Sequence, residues 1–118
     1  MKRILVIDDA VFMRIALKKM LENNGFQVVG EADNGLDGVR LYRELHPDLV
    51  TLDITMPEMG GIETLKEIKI INPDASVVIV SSLGQEHLLR EAVLIGAKGF
   101  VLKPFKEEFI VNVINKII

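Results

Sequence analysis

Asp8, Asp9, Asp53, Ser81 and Lys103 are the residues of this chain whose types suit one shared piece of chemistry. Each lies at the end of a short apolar run. "RILVI" precedes Asp8 and Asp9, "DLVTLDI" carries Asp53, "SVVIVSS" ends on Ser81 and Ser82, and "GFVLK" ends on Lys103. Carboxylates so close to buried strands are costly unless something pairs with them. Acids brought together repel, and at least one holds its proton more tightly unless a cation joins them. A hard divalent ion meets that need: magnesium takes a few carboxylate oxygens plus water and readily accepts phosphate oxygens. The Lys103 ammonium is a compact positive charge suited to phosphate contact. With magnesium and Lys103 on either side, Asp53 is placed to take up a phosphoryl group, since aspartate serves as the nucleophile in aspartyl-phosphate chemistry.

Each of these residues also has an ordinary reading. Asp8 or Asp9 could cap the helix that starts near Ala10. Asp53 could open the turn made by "TMPEMGG", where Pro57, Gly60 and Gly61 are turn residues. Ser81 could be a satisfied strand-end hydroxyl and Lys103 a surface lysine. The joint reading depends on the elements that bring them together.

The apolar runs are 3–7, 27–32, 48–54, 76–82 and 99–103. Four are rich in Val, Ile and Leu with little alternation, as in parallel strands buried on both faces. The second, "QVVGEA", alternates and carries Gln27 and Glu31, which predicts an edge strand. Helical patterns separate the runs. Ala10 to Asn24 carries Met13, Leu17, Met20 and Leu21 on one side, with Gly25 as a left-handed stop. Leu36 to Leu45 has Asn34 as its N-cap and Pro47 beyond its end. "GIETLKEIKII", "EHLLREAVLIGA" (stopping near Gly96) and "KEEFIVNVINKII" complete the set. Alternation of this kind predicts an α/β fold: a five-stranded parallel doubly wound sheet of flavodoxin-like (βα)5 type, strand order 2-1-3-4-5. Ligands then bind beyond the carboxyl ends of the strands where the order reverses, between strands 1 and 3. The acids, the hydroxyl and the ammonium all fall on that edge.

Composition narrows the function classes. The chain of 118 residues suits one domain spanning 1–118, with no output domain expected after its last helix. There is no cysteine, which excludes disulfides and thiolate metal sites. His46 and His87 stand apart and read as surface residues near helix ends. A net charge of −3 without a basic run argues against nucleic-acid binding. "MKRILVIDDA" reaches its acids too soon for a secretory signal, and no apolar stretch spans a membrane, so a cytoplasmic location is expected.

The segments "LVIDDA", "LVTLDITMPEMGGIE", "VVIVSS" and "GFVLKPF", in this order and spacing, resemble the response-regulator receiver domain along the whole chain. The loop "DITMPEMGGI", the segment "SSLGQ" and the expected lack of an output domain are most similar to the single-domain chemotaxis receivers. The resemblance implies a phosphorylation-activated regulator of a two-component system that catalyses only its own phosphoryl transfer and autodephosphorylation, and so is not an enzyme in the turnover sense. Asp53 matches the phosphoacceptor, charged from a phosphohistidine on a sensor kinase. Asp9 matches a direct magnesium ligand, Asp8 the acid beside it, and Thr55 the position whose main-chain carbonyl completes the set. Lys103 matches the lysine on the phosphoryl group, with a cis peptide before Pro104. Ser81 matches the switch hydroxyl and Phe100 the switch aromatic, where tyrosine is commoner and would add a phenol. Thr55 and Leu83 match positions that tune dephosphorylation, and an apolar Leu83 implies slow self-hydrolysis.

The same resemblance implies a sensor histidine kinase and the flagellar motor switch protein as partners, a phosphatase as a further candidate partner, and a monomer. The docking face would be helix 4, strand 5 and helix 5. Two sequence features suit it. Leu94 lies off the apolar arc of its helix, and the apolar residues of the last helix spread over more than a core-facing stripe needs. Three rivals stand beside this reading. A phosphohydrolase of the haloacid dehalogenase type would carry an acid where Thr55 stands. A flavodoxin-like cofactor binder would need a phosphate loop where "IDDAV" presents acids. A receiver fold serving only as a scaffold would never be phosphorylated. A stand-alone receiver of a non-chemotaxis phosphorelay remains the alternative within the family.

Overall fold

A computed structural model describes all residues, Met1–Ile118. Strands and helices alternate: β1 (Arg3–Ile7), α1 (Val11–Glu22), β2 (Gln27–Ala32), α2 (Gly35–Leu45), β3 (Leu49–Asp53), α3 (Gly61–Ile71), β4 (Val77–Ser81), α4 (Glu86–Ile95), β5 (Gly99–Leu102) and α5 (Glu107–Asn115). The sheet is parallel throughout, in the order β2-β1-β3-β4-β5. The predicted architecture and strand order are therefore observed.

Alternation of side chains along each strand divides the core into two layers. Leu5 and Ile7 of β1, Val50 and Leu52 of β3 and Val77 and Ile79 of β4 face α2, α3 and α4, meeting Val39, Tyr42, Leu65, Ile68 and Ala92. Ile4, Val6, Leu49, Val78 and Val101 face α1 and α5, meeting Leu17, Leu21, Ile110, Val111 and Ile114. These layers fix the central strands and thereby the acids at their carboxyl ends. No helix is long and apolar enough to cross a membrane.

Helix boundaries follow local chemistry. The Asn34 side chain accepts from the Asp37 N–H at 2.8 Å, as expected of an N-cap. Gly25 adopts φ +84° after α1, the left-handed stop its position predicts. The end of α2 falls at Leu45, where the sequence reading ends it, with Pro47 just beyond. His46 itself adopts the left-handed conformation, with φ 46°, and its N–H closes on the Tyr42 carbonyl.

One strand departs from the sequence reading. The run at 99–103 reads as buried on both faces, but β5, at the edge where the predicted order puts it, is covered on one face only. Val101 is buried under α5, whereas Phe100 and Leu102, which point the other way, stay exposed. A continuous apolar run cannot distinguish a strand covered on both faces from one left uncovered on one. In α5 the wide apolar arc mostly serves the core through Ile110, Val111 and Ile114, and Phe109 is exposed.

Candidate functional site

The carboxyl ends of β1, β3, β4 and β5 bring the sequence-predicted residues together. Asp53 closes β3 between its two neighbouring strands and is only 6% exposed. Its Oδ1 accepts from the Thr55 N–H at 3.2 Å, and its Oδ2 lies 3.8 Å from Lys103 Nζ. Asp8 is buried directly after β1. Its Oδ1 accepts from the Ala10 N–H at 2.9 Å, which spends one oxygen on the turn into α1. Its Oδ2 is buried and has no hydrogen-bond partner of acceptable geometry, although Lys103 Nζ stands 3.3 Å away. Asp9 is exposed at the rim. Carboxylate oxygens of Asp8, Asp9 and Asp53 lie within 4.8 Å of one another.

Electrostatics make this cluster unstable without a counter-ion. Burial, reinforced by the negative charge of Asp8, pushes the Asp53 carboxyl from its ordinary 3.8 up to about 7. Lys103 and the Thr55 N–H act in the opposite direction without overcoming it. A single ammonium therefore falls short of neutralising the cluster. Three hard oxygen donors within reach of one point, with one buried oxygen facing only the Lys103 ammonium at 3.3 Å, fit a magnesium ion.

The other predicted residues surround this centre. Ser81 closes β4 with its Oγ buried and unpartnered. Its carbonyl accepts the Lys103 N–H at 2.7 Å, which sets Lys103 beside the acids. The Lys103–Pro104 peptide is cis, as the resemblance implied. Phe100 pairs in register with Ile79 and is 46% exposed, turned outward. Thr55 and Leu83 are exposed in the loops after β3 and β4.

Two contributors escape sequence reasoning. Arg14, at the end of the first turn of α1, donates from Nη1 to the Asp8 carbonyl at 2.7 Å, and its Nε lies 3.6 Å from Glu31 Oε1 on β2. It braces the acidic turn against the edge strand. Only its position six residues after Asp8, on the helix that follows, hinted at this. Gln85 accepts from the Ser82 N–H at 2.8 Å and donates to Thr55 Oγ1. That contact joins loops 30 residues apart, which no local pattern reveals.

Comparison with known proteins places this geometry. The family described as the response regulator receiver domain matches residues 4–115. The chemotaxis protein CheY of Thermotoga maritima is 48% identical over 116 residues, covering 98% of this chain and 97% of the relative. CheY of Bacillus subtilis is 51% identical over 114 residues, covering 97% and 95%. Among solved structures, a CheX–CheY–BeF3–Mg complex from Borrelia burgdorferi superposes with a TM-score of 0.94 at 33% identity, covering 98% of this chain and 88% of that one. A receiver domain from Clostridium thermocellum gives 0.94 at 31% identity, covering 99% and 94%.

Proposed function

The chain belongs to the response regulator receiver domain family, and from that premise we propose that it is a chemotaxis response regulator phosphorylated on Asp53. The observation that carries the residue assignment is the convergence on Asp53 itself. A nearly buried carboxylate has Lys103 Nζ at 3.8 Å, two further acids within 4.8 Å and an unpartnered buried Ser81 hydroxyl at the neighbouring strand end.

In this reading the Asp53 carboxylate attacks the phosphorus of a kinase phosphohistidine. The new bond forms to Asp53 Oδ, the nitrogen–phosphorus bond breaks, and its electron pair leaves with the imidazole. Asp8, Asp9, Asp53 and the Thr55 main-chain carbonyl would hold magnesium, which when bound neutralises the acids and draws charge from the phosphoryl oxygens. Lys103 stabilises the charge that develops on the transferred group. The phosphoryl group brings close to two negative charges and several acceptor oxygens. The Ser81 hydroxyl, without a partner beforehand, donates to one of them. The space it leaves admits Phe100 from its outward position, so a local charge change biases a two-state element. The chain is no classical enzyme in this account, because the group transferred ends on its own side chain. A cytoplasmic location belongs to the same proposal.

The surface that reads this switch is the face of α4, β5 and α5. Leu94 is 87% exposed beside Val93 and Phe100, and on the other side of Phe100 the exposed Leu102 and Phe109 continue the apolar surface. That is where a flagellar motor switch protein would dock. With a purified motor switch protein and the beryllofluoride-trapped regulator, Leu94→Glu is expected to lower affinity about tenfold or more, the worth of a central apolar anchor. Phosphorylation should proceed at the wild-type rate. Equal binding by wild type and variant would remove this face from the proposal, and joint loss of binding and phosphorylation would mean that Leu94 supports the fold.

A further inference from the structure

We propose, resting on Asp53 as the phosphoacceptor, that Gln85 is a positioning residue that ties two loops together over the site and thereby sets how fast the aspartyl phosphate forms and is hydrolysed. Gln85 occupies the residue before α4, yet its side chain makes no capping bond to that helix. The carboxamide is used across the site instead. Its Oε1 accepts from the Ser82 N–H, one residue beyond Ser81, and its Nε2 donates to Thr55 Oγ1. Thr55 in turn donates its main-chain N–H to Asp53 Oδ1. The loop after β4 is thus joined through Gln85 to the loop after β3, and through Thr55 to the nucleophile.

Access gives this link its consequence. Asp53 is almost buried, so any reagent must approach it through the opening that these loops help to frame. Phosphorylation by an acyl phosphate forms a bond from Asp53 Oδ to phosphorus and breaks the donor's oxygen–phosphorus bond, whose electron pair leaves with the carboxylate product. Hydrolysis forms a bond from a water oxygen to phosphorus and breaks the bond to Asp53 Oδ. That pair returns to the Asp53 carboxylate, and the water's proton leaves with inorganic phosphate and solvent. Both attackers need passage between the loops, and the Gln85–Thr55 bond restricts loop opening, a gating role. Leu83, exposed in the same loop, offers no polar group to replace the bond. Control of lifetime then falls to residue 85 acting with residue 55.

The test uses the full chain with magnesium and acetyl phosphate, following phosphorylation and, after donor removal, loss of the phosphoryl group. Gln85→Met keeps the side-chain length and removes the carboxamide. Both rate constants should rise about three- to tenfold, the range set by losing one ordinary hydrogen bond. Thr55→Val should give a similar rise, and the double variant no more than either single one, because one bond is being removed in each case. A purely structural role for Gln85 would lower the melting temperature without this non-additive pattern in the rates. Unchanged or slower rates in Gln85→Met, or a double variant whose effect is the product of the single effects, would overturn the inference. Failure of wild type to be phosphorylated at all would instead count against Asp53 as phosphoacceptor.

Discussion

Asp53→Asn raises the stability of the metal-free protein at pH 8 by a few kcal/mol, although it removes the proposed reactive group. In the folded chain burial and the charge of Asp8 lift the Asp53 carboxyl to about 7, against 3.8 for an unhindered one. The folded state therefore holds the proton more tightly than the unfolded state does. The stability that this confers is fully present below about pH 4 and is lost as pH rises through about 7. A shift of that size is worth at most about 4 kcal/mol, and less after local relaxation. Asparagine keeps an oxygen for the Thr55 N–H while removing the repulsion with Asp8. Denaturant unfolding of both proteins in chelator should show the variant ahead at pH 8 and the two converging near pH 4. Adding magnesium should stabilise wild type and leave the variant nearly unchanged. Equal stability at pH 8, or a gap that persists at pH 4, would contradict the electrostatic account.

The second large effect is steric. Gly61 begins α3 against the end of β3. A Cβ there would lie 2.5 Å from Ile54 Cα, 2.6 Å from the Asp53 carbonyl oxygen and 2.8 Å from that of Ile54. All three are backbone atoms, so no rotamer change relieves the overlap, and close-packed surroundings leave nowhere to move. Gly61→Ala should cost about 3 kcal/mol or more, beyond the usual range for overpacking because the obstacle is main chain. It should also weaken magnesium binding, since the displaced segment carries Asp53. Gly60→Ala is the control: it has open space around its Cβ and should unfold near the wild-type midpoint. Similar midpoints for the two variants in urea would refute the close approach.

What was legible in the sequence was whatever rests on short-range patterning. Strand runs, helix stops at Gly25 and Gly96, the Asn34 cap and the polar residues at strand ends all declare themselves within a few positions, and the strand order then brings Asp8, Asp53, Ser81 and Lys103 to one edge. Coverage of the outer face of β5 depends on where α4 settles, which residues 99–103 do not encode, so the run reads as buried although Phe100 and Leu102 stay exposed. The left-handed turns at His46 and Glu58 occupy residues without the usual glycine signal and arise from the chain geometry around them. Arg14 and Gln85 escaped for a related reason. Arginine on a helix and glutamine before one are ordinary surface residues until their partners, Asp8 and Thr55, are placed in space.

The most direct measurement is the intact mass of wild type and Asp53→Asn after incubation with acetyl phosphate, with and without magnesium. The account predicts one added phosphoryl group on wild type, dependent on magnesium and absent from the variant. An unmodified wild type that also fails to take up beryllofluoride, with an active donor and a folded protein, would contradict it. So would an adduct that survives replacement of Asp53.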